Sequence, residues 1–200
     1  GVTKDVTTPY TVLDFIGKQD KKINQNQSGE LGEARNYVTV SDNSALPSEL
    51  TVRWKGGSST VDTSAAGVQH KEIEILRGNH LMKTVNISVE IVDNIKPTIT
   101  APDNVTLTRL EGLPSELNIQ VKDNDKGVGL KDGNPVTVEN LPAPLTYNAA
   151  KSKIEINGVI PNNFQLGKSS IQVTVKAVDK KGNTATKNIT FNIQSQTQKY

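Results

Sequence analysis

The sequence predicts an all-β protein made of two tandem sandwich domains in an elongated arrangement, and three observations carry that prediction. Apolar and polar residues alternate in short runs, turn signals rich in Gly and Asn separate the runs, and the pattern of the first half returns about a hundred residues later. Alternation with period two is the mark of a strand with one face packed and the other in water, and short strands at regular spacing are characteristic of sandwiches.

Along the chain, the alternating runs are Tyr37-Val38-Thr39-Val40, Ile73-Glu74-Ile75, Val85 to Ile91, Ile119-Gln120-Val121, Ile154-Glu155-Ile156, Ile171 to Val175 and Ile189 to Ile193. Between them fall Lys55-Gly56-Gly57, Arg77-Gly78-Asn79, Asp132-Gly133-Asn134-Pro135, Asn157-Gly158 and Lys181-Gly182-Asn183, where Gly and Asn supply the positive φ of tight turns. No segment has the period of an amphipathic helix, although "SGELGEARNY" has room for one helical turn. The stretch from Lys18 to Arg35 follows neither period and reads as a long irregular loop.

The repeat pairs Leu46-Pro47 with Leu141-Pro142, Gly67 with Gly167, and Gly78-Asn79 with Gly182-Asn183, each copy closing on a strand, a Gly-Asn turn and a strand. Domains of residues 1–94 and 95–200 follow. At the boundary, "SVEIVDNIKPTIT" ends one strand and begins another, with Pro97 fixing its own φ and pushing Lys96 toward extended geometry. A joint that short and stiff predicts two domains set end to end as a rod.

Composition narrows the function classes. The chain has 23 basic and 21 acidic residues, interspersed along its length, which gives no nucleic-acid footprint. It has no cysteine, so it is not a disulfide-stapled secreted domain. No apolar run is long enough to cross a membrane, and no direct membrane contact is expected. His70 and His80 are the only histidines, neither in a metal-spaced pair nor beside an evident nucleophile, and no phosphate-cradling loop precedes a helix; a non-enzyme is expected. Trp54, in "TVRWKGG", reads as a core or rim residue of a sandwich rather than a sugar platform.

The acidic loop residues carry the one candidate site. Asp123 and Asp125 lie in "KDNDKGVG", with Asp132 just beyond; Asp179 lies in "AVDKKGN" and Asp93 at the joint. Carboxylates gathered in loops suit a hard cation, and Asp93, Asp123, Asp125 and Asp179 are the expected calcium ligands if an ion binds. The EF-hand pattern is absent, since Gly127 falls at the wrong step and no Glu closes the loop. Asp side chains also cap turns through their own backbone, which explains the same residues without an ion, so the expected cofactor is none or calcium.

The sequence resembles the tandem bacterial Ig-like and cadherin-like modules of Gram-positive, staphylococcal or streptococcal, wall-anchored adhesins. The second half resembles them most, through "LPAPLTYNAAKSKIEINGVIP", "GKSSIQVTVKAVDKKGNTAT" and the "DNIKPTIT" joint. The resemblance implies Ig-like sandwiches on the extracellular bacterial surface, acting as a stalk that projects a distal binding region. It implies neighbouring modules of the same chain as partners or, in the alternative, direct binding of a host matrix protein or glycan. Some such modules hold calcium near their joints. Others bind sialic acid through an Arg after Thr, as in Arg109 of "TLTRL", but here that Arg falls early in its domain and reads as structural. Related modules also form Lys–Asn crosslinks, for which this strand offers Arg109 in place of a Lys.

Overall fold

The computed structural model describes Gly1 and residues 13–196, which form two compact units, Gly1–Val92 and Asp93–Tyr200. The division falls two residues before the one drawn from sequence. Each unit is an Ig-like β-sandwich.

In the first unit, β2 (Lys21–Asn24), β6 (His80–Val92), β5 (Gly67–Arg77) and β4 (Leu50–Trp54) form one layer, in that order. The other layer is the pair β1 (Phe15–Gly17) and β3 (Val38–Val40). Alternation places Ile73 and Ile75 of β5 and Ile87, Val89 and Ile91 of β6 on the inner face, each at most 1% exposed. Each such side chain contributes about 1.5–3 kcal/mol by leaving water. The β5–β6 hairpin turns on Gly78-Asn79, with Gly78 at φ 61° in the first central position, where a tight hairpin turn favours glycine.

The second unit adds β7 (Thr98–Thr100), β8 (Asn104–Thr108), β9 (Leu117–Asn118), β10 (Gln120–Lys122), β11 (Val136–Glu139), β12 (Thr146–Asn148), β13 (Lys153–Glu155), β14 (Ser170–Val178) and β15 (Thr184–Gln194). One layer runs β11-β14-β15-β8; the other comprises β12-β13-β9 and the pair β10-β7. Phe191, Val173 and Val175 are fully buried between the layers with Leu107, Ile154 and Ile160.

The two units share one topological feature. The early strand β2 pairs in parallel with the last strand β6, from Lys21↔Val89 to Asn24↔Val92, and β8 pairs in parallel with the last strand β15, from Asn104↔Thr190 to Thr108↔Gln194.

Two sequence expectations are corrected. Lys18 to Arg35 is not one irregular loop, because Lys21–Asn24 is strand β2; its single apolar residue hides the alternation, and the parallel ladder to β6 holds it in place. The repeat also breaks before the terminal hairpin. Leu50, which follows Leu46-Pro47 as Leu145 follows Leu141-Pro142, lies on β4 beside the β5–β6 hairpin, a position that β11 holds in the second unit, whereas the segment after Leu145 is β12 of the opposite layer.

The first unit has only residues 55–66 between β4 and β5, where the second has residues 140–169 containing the β12–β13 hairpin. Residues 25–31 and 59–64 close the gap as an irregular antiparallel pair: Asn26 N–H donates to the Thr63 carbonyl, Val61 N–H to Gly29 and Leu31 N–H to Ser59. The approach is close enough that a Cβ on Gly29 would lie 1.9 Å from the Val61 carbonyl oxygen. A 3-10 turn, Ala34–Tyr37, follows within "SGELGEARNY" and buries Ala34 and Tyr37 in the core.

Candidate functional site

Three loops of the second unit bring Asp93, Asp123 and Asp179 together, with one carboxylate oxygen from each lying within 4.8 Å of the others. Asp93 follows directly on the last residue of β6, Asp123 follows β10, and Asp179 begins the β14–β15 turn. Asp93 and Asp179 are each 1% exposed, and Asp123 is half-buried. The fourth residue expected from sequence, Asp125, is exposed and outside this group, as is Asp132.

Backbone donors hold each carboxylate. Asp93 Oδ1 accepts from Ile95 N–H at 3.0 Å and Oδ2 from Val128 N–H at 2.9 Å. Asp123 Oδ2 accepts from Gly129 N–H at 2.7 Å. Asp179 Oδ1 accepts from Lys181 and Asn183 N–H, while Asn183 Nδ2 bridges Asp179 Oδ2 and the Asp93 carbonyl at 2.8 and 2.7 Å. The turn-capping reading therefore describes real contacts, and they tie the first residue of this unit to the β14–β15 turn.

Burial pushes the Asp123 carboxyl above its usual range; the Gly129 and Asn124 N–H groups oppose that shift, and repulsion from Asp93 and Asp179 adds to it. A Cβ on Gly127 would lie 2.6 Å from Asp93 Oδ2, 2.6 Å from Asn124 Oδ1 and 2.8 Å from Asp123 Oδ2. Oxygens thus converge on a place that only glycine leaves open.

The donor set fits calcium. Oxygens around a calcium ion lie about 2.3–2.6 Å from it, so ligands on opposite sides stand about 4.6–5.2 Å apart, and a group within 4.8 Å can share one ion. All three side chains offer hard carboxylate oxygen, while a thiolate or imidazole site would need residue types that this group lacks.

Of the other residues singled out in the sequence, Arg109 and Trp54 take structural places. Arg109, just past β8, donates Nε to the Phe164 carbonyl, Nη2 to Gln165 and Nη1 to Ser195 Oγ, at 3.0–3.2 Å; its fork is filled by the chain itself. Trp54 is 7% exposed, donates Nε1–H to the Gly32 carbonyl at 2.8 Å and lies against Tyr37, with ring centroids 5.4 Å apart. His70, exposed on β5, has Nδ1 3.2 Å from Ser88 Oγ, but that hydroxyl also donates to Gln19 Oε1. His80 is exposed at the start of β6. Among the described residues no helix is long and apolar enough to cross a membrane.

No protein-family model matches the chain, and no curated protein matches it. Solved structures that resemble it include human mucin-like protocadherin EC1-2, at 11% identity and TM-score 0.40, over 92% of this chain and 99% of that one. Human CDH23 EC21-23 resembles it at 13% identity and TM-score 0.47, over 90% of this chain and 69% of that one. Protocadherin gamma B2 extracellular cadherin domains 3-6 resemble it at 16% identity and TM-score 0.47, over 92% of this chain and 47% of that structure. At such identities and TM-scores the likeness carries no functional meaning.

Proposed function

We propose that the chain is a non-catalytic stalk segment of a Gram-positive, wall-anchored surface adhesin, extracellular, with further modules of the same chain as its neighbours. Its role is to hold a distal binding region away from the cell wall and to carry tension. The observation that supports this reading most is the parallel pairing of an early strand with the last strand in each unit, β2 with β6 and β8 with β15. When the ends of a unit are pulled apart, two parallel neighbouring strands slide past each other, so their hydrogen bonds resist together rather than opening one by one. Asp93, which follows directly on Val92 of β6, is bonded within the second unit to Val128 and Asn183.

A reporter binding domain mounted on this fragment beneath a grafted polymer brush tests the spacing role. The reading expects target capture through the brush, and no capture when a Gly/Ser linker of equal residue count replaces the fragment, because such a linker coils. Equal capture by both would remove the stalk reading.

Within that role we propose that calcium binds at Asp93, Asp123 and Asp179, where it would offset the mutual repulsion of the three carboxylates and fix the loops beside the joint. An ion that binds only the folded state raises its stability by mass action. The thermal midpoint of the second unit is expected to rise in calcium over chelator, and Asp123→Asn is expected to lose most of that rise. Identical midpoints in the two buffers would leave the cluster as turn caps alone.

A further inference from the structure

The turn Asn157-Gly158 lies outside the strands and the carboxylate cluster, and its two residues can react with each other. Asn157 is the only asparagine in the sequence that glycine follows. The pair forms an exposed bend after β13, which ends at Glu155.

Both flanks of the bend are fixed. Ile154, 1% exposed, stands opposite Tyr147 and Leu117 in its sheet. Ile160 is fully buried; its N–H donates to the Glu111 carbonyl at 2.8 Å, and its carbonyl accepts from Leu110 N–H at 2.7 Å. Between these anchors, neither the Asn157 side chain nor the Gly158 N–H has a hydrogen-bond partner among the described residues. Other asparagine side chains are held: Asn148 Oδ1 accepts from Lys151 N–H, Asn183 bridges Asp179 and the Asp93 carbonyl, and Asn188 Oδ1 accepts from the Thr174 hydroxyl. Gly158 has φ 94°, and a Cβ there would meet nothing within 4 Å, so the approach to this peptide bond is open on that side.

We propose that Asn157-Gly158 is a site of spontaneous modification, at which the asparagine becomes aspartate or isoaspartate. The Gly158 nitrogen, its proton taken by hydroxide, forms a bond to Asn157 Cγ. The Cγ–Nδ2 bond breaks, and the nitrogen leaves as ammonia with a proton from water. A five-membered imide remains, and water opens it at either of its two carbonyls. Opening between Cγ and the ring nitrogen leaves an aspartate on an ordinary backbone. Opening at the main-chain carbonyl leaves the backbone running through Cβ and Cγ, one methylene longer. Water is the only reagent consumed, and nothing is oxidised or reduced.

Either product adds a carboxylate. Gly158 lines a surface hollow with Glu116, Lys153 and Glu155, in which Lys153 already serves both acids at 3.5 and 4.0 Å. The hollow then holds three carboxylates against one ammonium. Because the change falls in an exposed bend between anchored flanks, the product is expected to stay folded. The reaction does not depend on the stalk reading, and either can fail alone.

The test incubates the whole chain at neutral and mildly alkaline pH and follows every asparagine by peptide mass spectrometry. Methyl transfer by an isoaspartyl methyltransferase counts the isoaspartate. Conversion at Asn157 is expected to be at least about tenfold faster than at any other asparagine, each of which precedes a residue with a side chain. It is also expected to lie within about tenfold of the rate in a free peptide of residues 155–160, since the bend is exposed and unbonded, and to quicken as pH rises. Asn157→Gln would have to close a six-membered ring, and is expected to suppress the acidic species on ion exchange while circular dichroism stays unchanged. Conversion at Asn157 below either margin, or acidic species forming as fast in Asn157→Gln as in wild type, would overturn the proposal.

Discussion

Asp123 shows what a single residue is exposed to at the joint-side loops. Its carboxyl is pushed up chiefly by burial, so its protonated form is favoured more in the folded state than in the unfolded chain. For an acid shifted upward the linkage runs against the usual one. The folded state binds more protons between the ordinary value and the raised one, so stability falls as pH rises through that window and stays lower above it. In chelator, wild-type protein is therefore expected to lose thermal stability across the window, and Asp123→Asn to lack that loss. The difference between the two curves isolates Asp123 from Asp103, whose hydrogen bond to Lys187 holds its carboxyl low and gives a slope of the opposite sign. Superimposable curves would contradict the burial account. Sequence showed Asp93, Asp123 and Asp179 as loop acids, and their convergence is visible only once three separate loops are placed in space. Asp125 looked equivalent to Asp123 because the two are two residues apart, yet it is exposed and outside the group. Gly127, which makes room for the three oxygens, was legible only as part of a failed EF-hand pattern.

Among elements, the two long hairpins were plain in the sequence where residues 85–91 and 189–193 alternate Ile, Val and Phe on a buried face. The short strands were not. β2 carries one apolar residue in "KKIN", and β11 alternates Val with Thr and Glu while remaining only half-buried. Such strands owe their form to hydrogen bonds along a sheet edge, which leave little trace in hydrophobic periodicity. The repeat misled for a related reason. "LPSEL" and "LPAPL" are turn-to-strand sequences that serve equally before β4 and before β12, although these strands belong to different layers. What settles the first unit is the pairing of residues 25–31 with 59–64, where Gly29 permits a contact that any side chain would block. That pairing replaces a hairpin, and the resulting irregular wall forms one side of a groove beside β4.

At the scale of the whole molecule, the all-β class and the presence of two sandwiches were legible from alternation, turns and the recurrence of the terminal hairpin. The parallel ladders were not, because a short early strand and a long final strand share no sequence pattern that shows them to be neighbours. These ladders carry the central claim, that the chain is built to transmit tension. Pulling single molecules by their two ends tests it most directly. The account predicts two separate unfolding steps, one for each unit. It also separates two neighbouring substitutions in β2. Gln25 N–H donates to the Val92 carbonyl at 2.7 Å, so the alternate residue Ile23 also turns its N–H toward β6 while that of Lys22 faces away. Ile23→Pro is predicted to lower the unfolding force of the first unit, and Lys22→Pro to leave it near the wild-type value. Unchanged force in both variants would show that the β2–β6 ladder does not bear the tension, and would contradict the account.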